Sequence, residues 1–262
     1  MTQATTGIWV GPVHYEEIRA AVERAGGVLV DREQADAIIW TGDGPGPASP
    51  ELFHEGIRWV QVDSAGVDRW FSSGLLDRKR VWSSARGRFG VAVGEQAVVL
   101  LLAAWRRVTR LGRTRTWIVP PNETPARKAV GIVGAGSIGR ETIARLAPFG
   151  VRTLAVAVPG EPDSGADETF APDQLDTVIE RSDLLVLAVP LMPSTHHLIN
   201  AERLALLGER GWLINVSRGP VVDTDALVEA LRAGTIAGAC LDVTDPEPLP
   251  DGHPLWSMDN VL

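Results

Sequence analysis

The stretch Val130-Gly131-Ile132-Val133-Gly134-Ala135-Gly136-Ser137-Ile138-Gly139 decides how the chain folds. A short apolar run enters a G-x-G-x-x-G turn, and apolar positions then recur at helical spacing. That order predicts a strand over Ala129 to Val133, a tight turn, and a helix over Ser137 to Phe149. Gly134 permits the turn, Gly136 leaves room for a pyrophosphate to approach the backbone, and Gly139 lets helix and strand pack closely. The amides near Ser137 and Ile138 would face phosphates at the helix N-terminus, where unpaired N–H groups favour anions. The favoured reading is a dinucleotide site. A ligand-free turn and a nucleotide-like ligand such as S-adenosylmethionine are the alternatives.

Downstream, strands are expected at Thr153 to Val158, Leu184 to Val189, Trp212 to Val216 and Ile236 to Val243. Helices are expected between them, at Leu175 to Glu180, Ala201 to Leu207 and Asp225 to Ala233. Repeated βα spacing of this kind predicts an α/β fold with a doubly wound parallel sheet. The acidic segment Glu161 to Asp176 reads as a solvated loop.

Upstream, a long apolar helix is expected from about Val93 to Val108. Arg106, Arg107, Arg110, Arg113 and Arg115 follow, and read as a cation-favouring helix end running into a solvated arm rather than a phosphate contact. Trp117 to Pro125 reads as a proline-rich crossing between domains. The first hundred residues form a smaller α/β pattern. Its strands are expected near Ile8 to Val10, Val28 to Val30, Ala37 to Trp40, Ile57 to Val62 and Val81 to Ser83. A helix is expected over His14 to Ala25, and a loop over Gly42 to Pro50. The predicted division is residues 1–92 and 93–262.

Composition narrows the class. With 262 residues, 45 % hydrophobic and 22 % charged, the chain can bury a core and is not disordered. The balance of 25 basic and 33 acidic side chains gives −8, which argues against nucleic acid or an anionic membrane as partner. One or two arginines still suffice for a small anion. Cys240 is the single cysteine, which fits a reducing compartment and a cytoplasmic protein. Met1 to Thr6 lacks a basic-then-apolar leader, and runs such as Val98 to Trp105 fall far short of the ~20 residues of a membrane span. No metal ligand set is expected.

The strand ending at Val158 should supply an acid for the adenosine ribose of NAD. Here Leu154 to Gly160 carries no Asp or Glu, and the first acid is Glu161. No arginine follows to hold a 2′-phosphate, so the sequence leaves NAD and NADP both open.

From roughly Ile57 to Leu262 the chain resembles the D-isomer-specific 2-hydroxyacid dehydrogenases. The resemblance rests on Val60 to Asp68, Gly94 to Ala97, the turn Gly134 to Gly139, and Val189 to Asn200. It continues through Ile214-Asn215-Val216-Ser217-Arg218-Gly219-Pro220-Val221-Val222-Asp223, then Ile236 to Val243 and Glu247 to Pro250. The resemblance implies a Rossmann-like cofactor domain with a smaller, flavodoxin-like substrate domain. It implies hydride transfer between NAD(P)H and a 2-keto acid, giving a D-2-hydroxy acid, in a homodimer.

It also implies residue roles. Arg218 would hold the substrate carboxylate and polarise the carbonyl, and Glu247 would orient a general-acid His. Ser64, Ala65, Gly66 and Val67 would grip the carboxylate through backbone amides. Pro190 and Thr195 would line the adenosine side, with Val216 also at the cofactor. Asp242 would lie near the nicotinamide amide, the plainer reading being a cap after a strand. The family's His follows the segment Asp259 to Leu262 within a few residues, and the sequence stops before it. None of His14, His54, His196, His197 and His253 matches that position, and His197 is expected to shape the cofactor crevice. The expectation is a chain truncated before its general acid. The alternative is a non-catalytic NAD(P)-binding protein that has lost it. Trp70, Phe71 and Trp82 either line an apolar substrate pocket or belong to the core.

Overall fold

In a computed structural model, residues 6–42, 44–46, 51, 53–117, 119, 124–160 and 163–262 are described. Parts of the expected loop Gly42 to Pro50 and crossing Trp117 to Pro125, together with Glu161 and most of Met1 to Thr6, lie outside the described residues. The chain divides into two units, one ending at Arg88 and the other beginning at Phe89.

The first unit contains β1 (Gly7–Pro12), α1 (Glu16–Arg24), β2 (Val28–Leu29), β3 (Ala37–Thr41), β4 (Trp59–Val62), α2 (Asp68–Ser72) and β5 (Val81–Ser83). Its five strands are all parallel, in the order β2-β1-β3-β4-β5, the arrangement of a flavodoxin-like sheet. Side chains alternate across a strand, so Ile38 and Trp40 of β3 share a face with Val60 and Val62 of β4. Against that face pack Phe53 and Trp70, with Trp40 and Trp70 edge to face at 5.4 Å. Trp82 packs on the same cluster. Of the two readings of these aromatics, Trp70 and Trp82 take the core one. The turn of α2 sends Trp70 into the core, at 1 % exposure, and its neighbour Phe71 outward, at 70 %.

The second unit begins with α3 (Gly90–Trp105) and α4 (Val108–Arg113). There follow β6 (Ala129–Val133), α5 (Ser137–Leu146), β7 (Arg152–Val156), β8 (Glu168–Phe170) and α6 (Leu175–Glu180). Then come β9 (Leu184–Leu187), α7 (Ala201–Leu207), β10 (Trp212–Asn215), α8 (Thr224–Ala233) and β11 (Gly238–Leu241). The order β11-β10-β9-β6-β7-β8 is wholly parallel and doubly wound, with β6 at the centre. β9 and β10 are buried along their whole length, as strands covered on both faces must be. Each fully buried aliphatic side chain there contributes about 1.5–3 kcal/mol. Beyond β11, Val261 pairs in parallel with Ala239, so residues 260–262 extend the sheet.

Three expectations are corrected. The acidic segment 161–176 contains β8, an edge strand rather than a loop only. Its acids serve as ties: Asp167 accepts from the Thr153 amide (2.7 Å) and hydroxyl (2.9 Å), and Glu168 pairs with Arg152 and Arg181. The long helix begins at Gly90 and stops at Trp105, because Arg107 adopts a left-handed φ of 51° before α4 starts. The basic run is not all solvated arm. Arg113 donates to the carbonyls of Met258 (2.6 Å) and Trp256 (3.3 Å), holding the 256–259 segment on the unit.

Candidate functional site

The glycine turn between β6 and α5 behaves as its three positions predict. Gly134 has φ +101°, and a side chain there would also meet the Ala188 carbonyl oxygen at 2.6 Å. A Cβ at Gly139 would overlap the Gly134 carbonyl. Gly136, by contrast, faces open space, with nothing within 4 Å of where a Cβ would sit. Gly136 is also the N-cap of α5, and no side chain caps that end, so the first-turn amides point into the same space. An anion would find N–H donors, the positive end of a helix and no obstructing side chain. The cradle fits the pyrophosphate of a dinucleotide.

A close helix contact fixes where this cradle lies. Gly90 and Gly94, one turn apart on α3, press on α5 so tightly that Cβ atoms there would lie 2.9 Å from Ser137 Cβ and 2.7 Å from Glu141 Cβ. Ala97, Leu101 and Ala104 continue the same stripe into the core.

At the end of β7, the Ala157 amide donates a hydrogen bond to the Phe170 carbonyl (3.0 Å), and Val158 is 63 % exposed. Among the described residues, Asp163 accepts from the Gly165 amide (3.1 Å), and Asp167 and Glu168 are held further on. Hydrogen bonds from the Thr153 amide and hydroxyl hold the Asp167 carboxyl below its ordinary range, and the Arg181 guanidinium does the same for Glu168.

The loop after β9 carries Pro190, exposed, and Thr195, whose hydroxyl donates to the Pro190 carbonyl (2.6 Å) and accepts from the Met192 amide (2.8 Å). Thr195 thus shapes the loop from within. His196 and His197 stack with ring centroids 4.0 Å apart. His197 takes a left-handed φ of 48°, and its Nδ1 lies 3.9 Å from the carboxylate of Asp223, the N-cap of α8.

The turn after β10 presents Arg218 in extended conformation. Its Nη1 donates to the Ser217 carbonyl at 2.8 Å. Val216 is buried in the apolar core, so only its backbone faces outward chemistry. Gly219 is in backbone contact with Thr244, and the Thr224 hydroxyl donates to the Asp245 carbonyl (3.0 Å). These contacts bring the Arg218 turn against the exposed loop that carries Glu247. Asp242, at the end of β11, donates its amide to the Asn215 carbonyl (2.9 Å), and its carboxylate accepts from Gln96 Nε2 (3.1 Å). Arg218, Asp242 and the glycine turn all follow the C-terminal ends of strands in one parallel sheet, where ligands of open α/β sheets bind.

In the first unit, Ser64, Ala65, Gly66 and Val67 form the turn between β4 and α2. Ser64 donates its hydroxyl to the Gly66 carbonyl (2.8 Å), and its own carbonyl accepts from the Ala85 amide (3.0 Å). Cys240 is buried in β11, where burial pushes its thiol up to about 12, so it is not a nucleophile. Sequence reasoning missed Gly90 and the part played by Asn215. The signals were a glycine four residues before Gly94, and a polar residue closing an apolar strand.

The sequence model of the D-isomer specific 2-hydroxyacid dehydrogenase NAD binding domain matches residues 98–262. The chain is similar to an uncharacterized protein in the proB 3′ region of Corynebacterium melassecola, 42 % identical over 96 % of this chain and 84 % of that one. It is similar to a glyoxylate reductase of Thermofilum pendens, 44 % identical over 65 % of this chain, a match spanning about half (53 %) of that relative's length. Among solved structures, it is similar to a D-isomer specific 2-hydroxyacid dehydrogenase from Xanthobacter autotrophicus Py2 in complex with NADPH and MES. That likeness has a TM-score of 0.86 and 29 % identity, and covers 99 % of this chain and 87 % of that one.

Proposed function

We propose, for a chain that belongs to the D-isomer specific 2-hydroxyacid dehydrogenase family, that it reduces a small 2-keto acid to the 2-hydroxy acid with NAD(P)H. The observation that carries this reading is Arg218, held at the C-terminal edge of the sheet that also bears the glycine cradle. When bound, the cofactor supplies the hydride. The amides at the start of α5 hold its pyrophosphate, and Gly136 keeps the approach clear. Asp242, steadied by Gln96, is assigned to the nicotinamide amide, and Pro190, Thr195 and the Val216 backbone to the crevice wall.

Arg218 pairs with the substrate carboxylate and resists charge build-up on the keto oxygen as it becomes an alkoxide. In the first unit, the amides of the Ser64–Val67 turn are assigned to carboxylate binding, as the family resemblance implies. Glu247 is assigned to orient a general-acid imidazole, a position that none of His14, His54, His196, His197 and His253 fills; a group there would give its proton to the alkoxide oxygen, a step worth typically about 10²–10⁴-fold. The glyoxylate reductase name of the Thermofilum pendens relative supports a keto acid of that size. The exposed Val91 and Val99 of α3 support a homodimer, which sedimentation velocity tests. A single buried cysteine supports a cytoplasmic setting.

The deciding experiment follows loss of reduced-nicotinamide absorbance with glyoxylate or hydroxypyruvate, beside a titration of cofactor binding. Turnover abolished by Arg218→Ala supports the proposal. Tight cofactor binding with no turnover of any 2-keto acid favours the alternative, a non-catalytic NAD(P)-binding protein.

A further inference from the structure

Asn215 ends β10 at 1 % exposure, a polar amide closing the apolar run Trp212-Leu213-Ile214. Its side chain makes three hydrogen bonds. Oδ1 accepts from the Ser217 amide (3.0 Å) and from the Ser217 hydroxyl (2.6 Å), and Nδ2 donates to the Arg218 carbonyl (3.0 Å). All three bonds run forward to Ser217 and Arg218, two and three residues on, rather than sideways to β9 or β11. An amide serving only the sheet would have no need of them. A buried amide that loses its partners is strongly disfavoured, so the turn has one arrangement in which Asn215 is satisfied.

That arrangement fixes Arg218. Its carbonyl is held by Asn215, and its guanidinium donates back to the Ser217 carbonyl at 2.8 Å. Gly219, next in the chain, is backed by Thr244. We propose that Asn215 is the positioning residue of Arg218: it touches no substrate, and it sets the direction in which the guanidinium leaves the sheet. The importance of that direction rests on the functional reading of Arg218 given above, and the test separates the two.

The test is phenylglyoxal labelling of the full chain with NADH present, each arginine followed by peptide mass. In Asn215→Ala, labelling of Arg218 should rise about tenfold, while Arg140 and Arg203 in the same unit stay within about twofold. An unchanged Arg218 rate overturns the proposal. A rise at all three overturns it too, because Asn215 would then be holding the unit and not the arginine. If Asn215→Ala does not fold, Ser217→Ala removes one of the three bonds. A rise of about two- to threefold confined to Arg218 is then expected, and an unchanged rate overturns the proposal. Oxamate, a 2-keto acid analogue, forms a separate arm. Protection of Arg218 in the unmodified chain, weakened in Asn215→Ala, supports both readings. Failure to protect the unmodified chain overturns the functional reading alone, since the labelling comparison between variants needs no substrate.

Discussion

Gly219 backs onto the carbonyl of Thr244 with no room for a methyl group between them. The opposing atoms are backbone, which cannot rotate aside. Gly219→Ala should therefore cost about 1–3 kcal/mol of stability by overpacking. It should also part the Arg218 turn from the Glu247 loop. A lowered thermal midpoint, with keto acid affinity falling more than cofactor affinity, is the expected result.

Gly136 and Gly139 lie in one turn and should respond in opposite ways. Gly136 has an ordinary φ of −67° and open space beside it, so Gly136→Val should leave the thermal midpoint nearly unchanged. The valine would occupy the phosphate's approach and weaken NADH binding by about tenfold or more. Gly139→Ala should lower the midpoint, because its Cβ overlaps the Gly134 carbonyl. Thermal melts and cofactor titration on the two variants check the contrast.

Ala157 stands at the end of β7, where the family resemblance puts an acid for the adenosine ribose; of the described acids that follow, Asp163 accepts from the Gly165 amide, Asp167 from Thr153, and Glu168 pairs with Arg152 and Arg181. Ala157→Asp should turn NADPH away by about 10–100-fold relative to NADH, compared with the unmodified chain, through like-charge repulsion. Dissociation constants for both cofactors measure it.

Asp167 has its carboxyl held below the ordinary value of 3.8 by the Thr153 hydrogen bonds. A depressed folded value means the carboxylate stabilises the fold above the unfolded value, and that this contribution is lost as pH falls through the folded one. Asp167→Asn should thus lower the melting temperature modestly at pH 7, the side chain being exposed. The difference from the unmodified chain should shrink below about pH 4, and melts across that range are the check.

Cys240 is the only cysteine, buried, with its thiol pushed up to about 12. A thiol reagent at pH 8 should label it only in denaturant. Rapid labelling of the native chain would show that β11 opens.

Much of this was legible from local pattern. The glycine turn, the strand Leu184–Leu187 and the helix Ala201–Leu207 each carry their own signal of apolar runs and stops. What was hidden depends on partners far away in sequence. β8 is a strand because Leu154 to Val156 pair with it and because Arg152 and Arg181 neutralise Glu168, which an acidic run does not reveal. Gly90 looks like a helix breaker until α5 is packed against it. Trp70 and Phe71 are neighbours of similar hydrophobicity, and only the docking of α2 sorts one inward and the other out. At the site, Arg218 and Glu247 were named through family motifs. The Gly219–Thr244 contact between their loops was not visible, since a glycine beside a proline reads simply as a turn.

The aromatic core of the first unit has an optical consequence. Five of the nine tryptophans, Trp9, Trp40, Trp59, Trp70 and Trp82, belong to this unit. The rings of Trp9, Trp40, Trp70 and Trp82 form a chain with successive centroids 6.2, 5.4 and 5.6 Å apart. Indoles at such spacing share their excited states. The first unit should therefore write an exciton couplet into the circular dichroism spectrum and depolarise its own fluorescence. The second unit, with Trp105, Trp117, Trp212 and Trp256, lacks such a chain of rings among its described residues. The melting of the first unit can thus be followed by light alone and without a label.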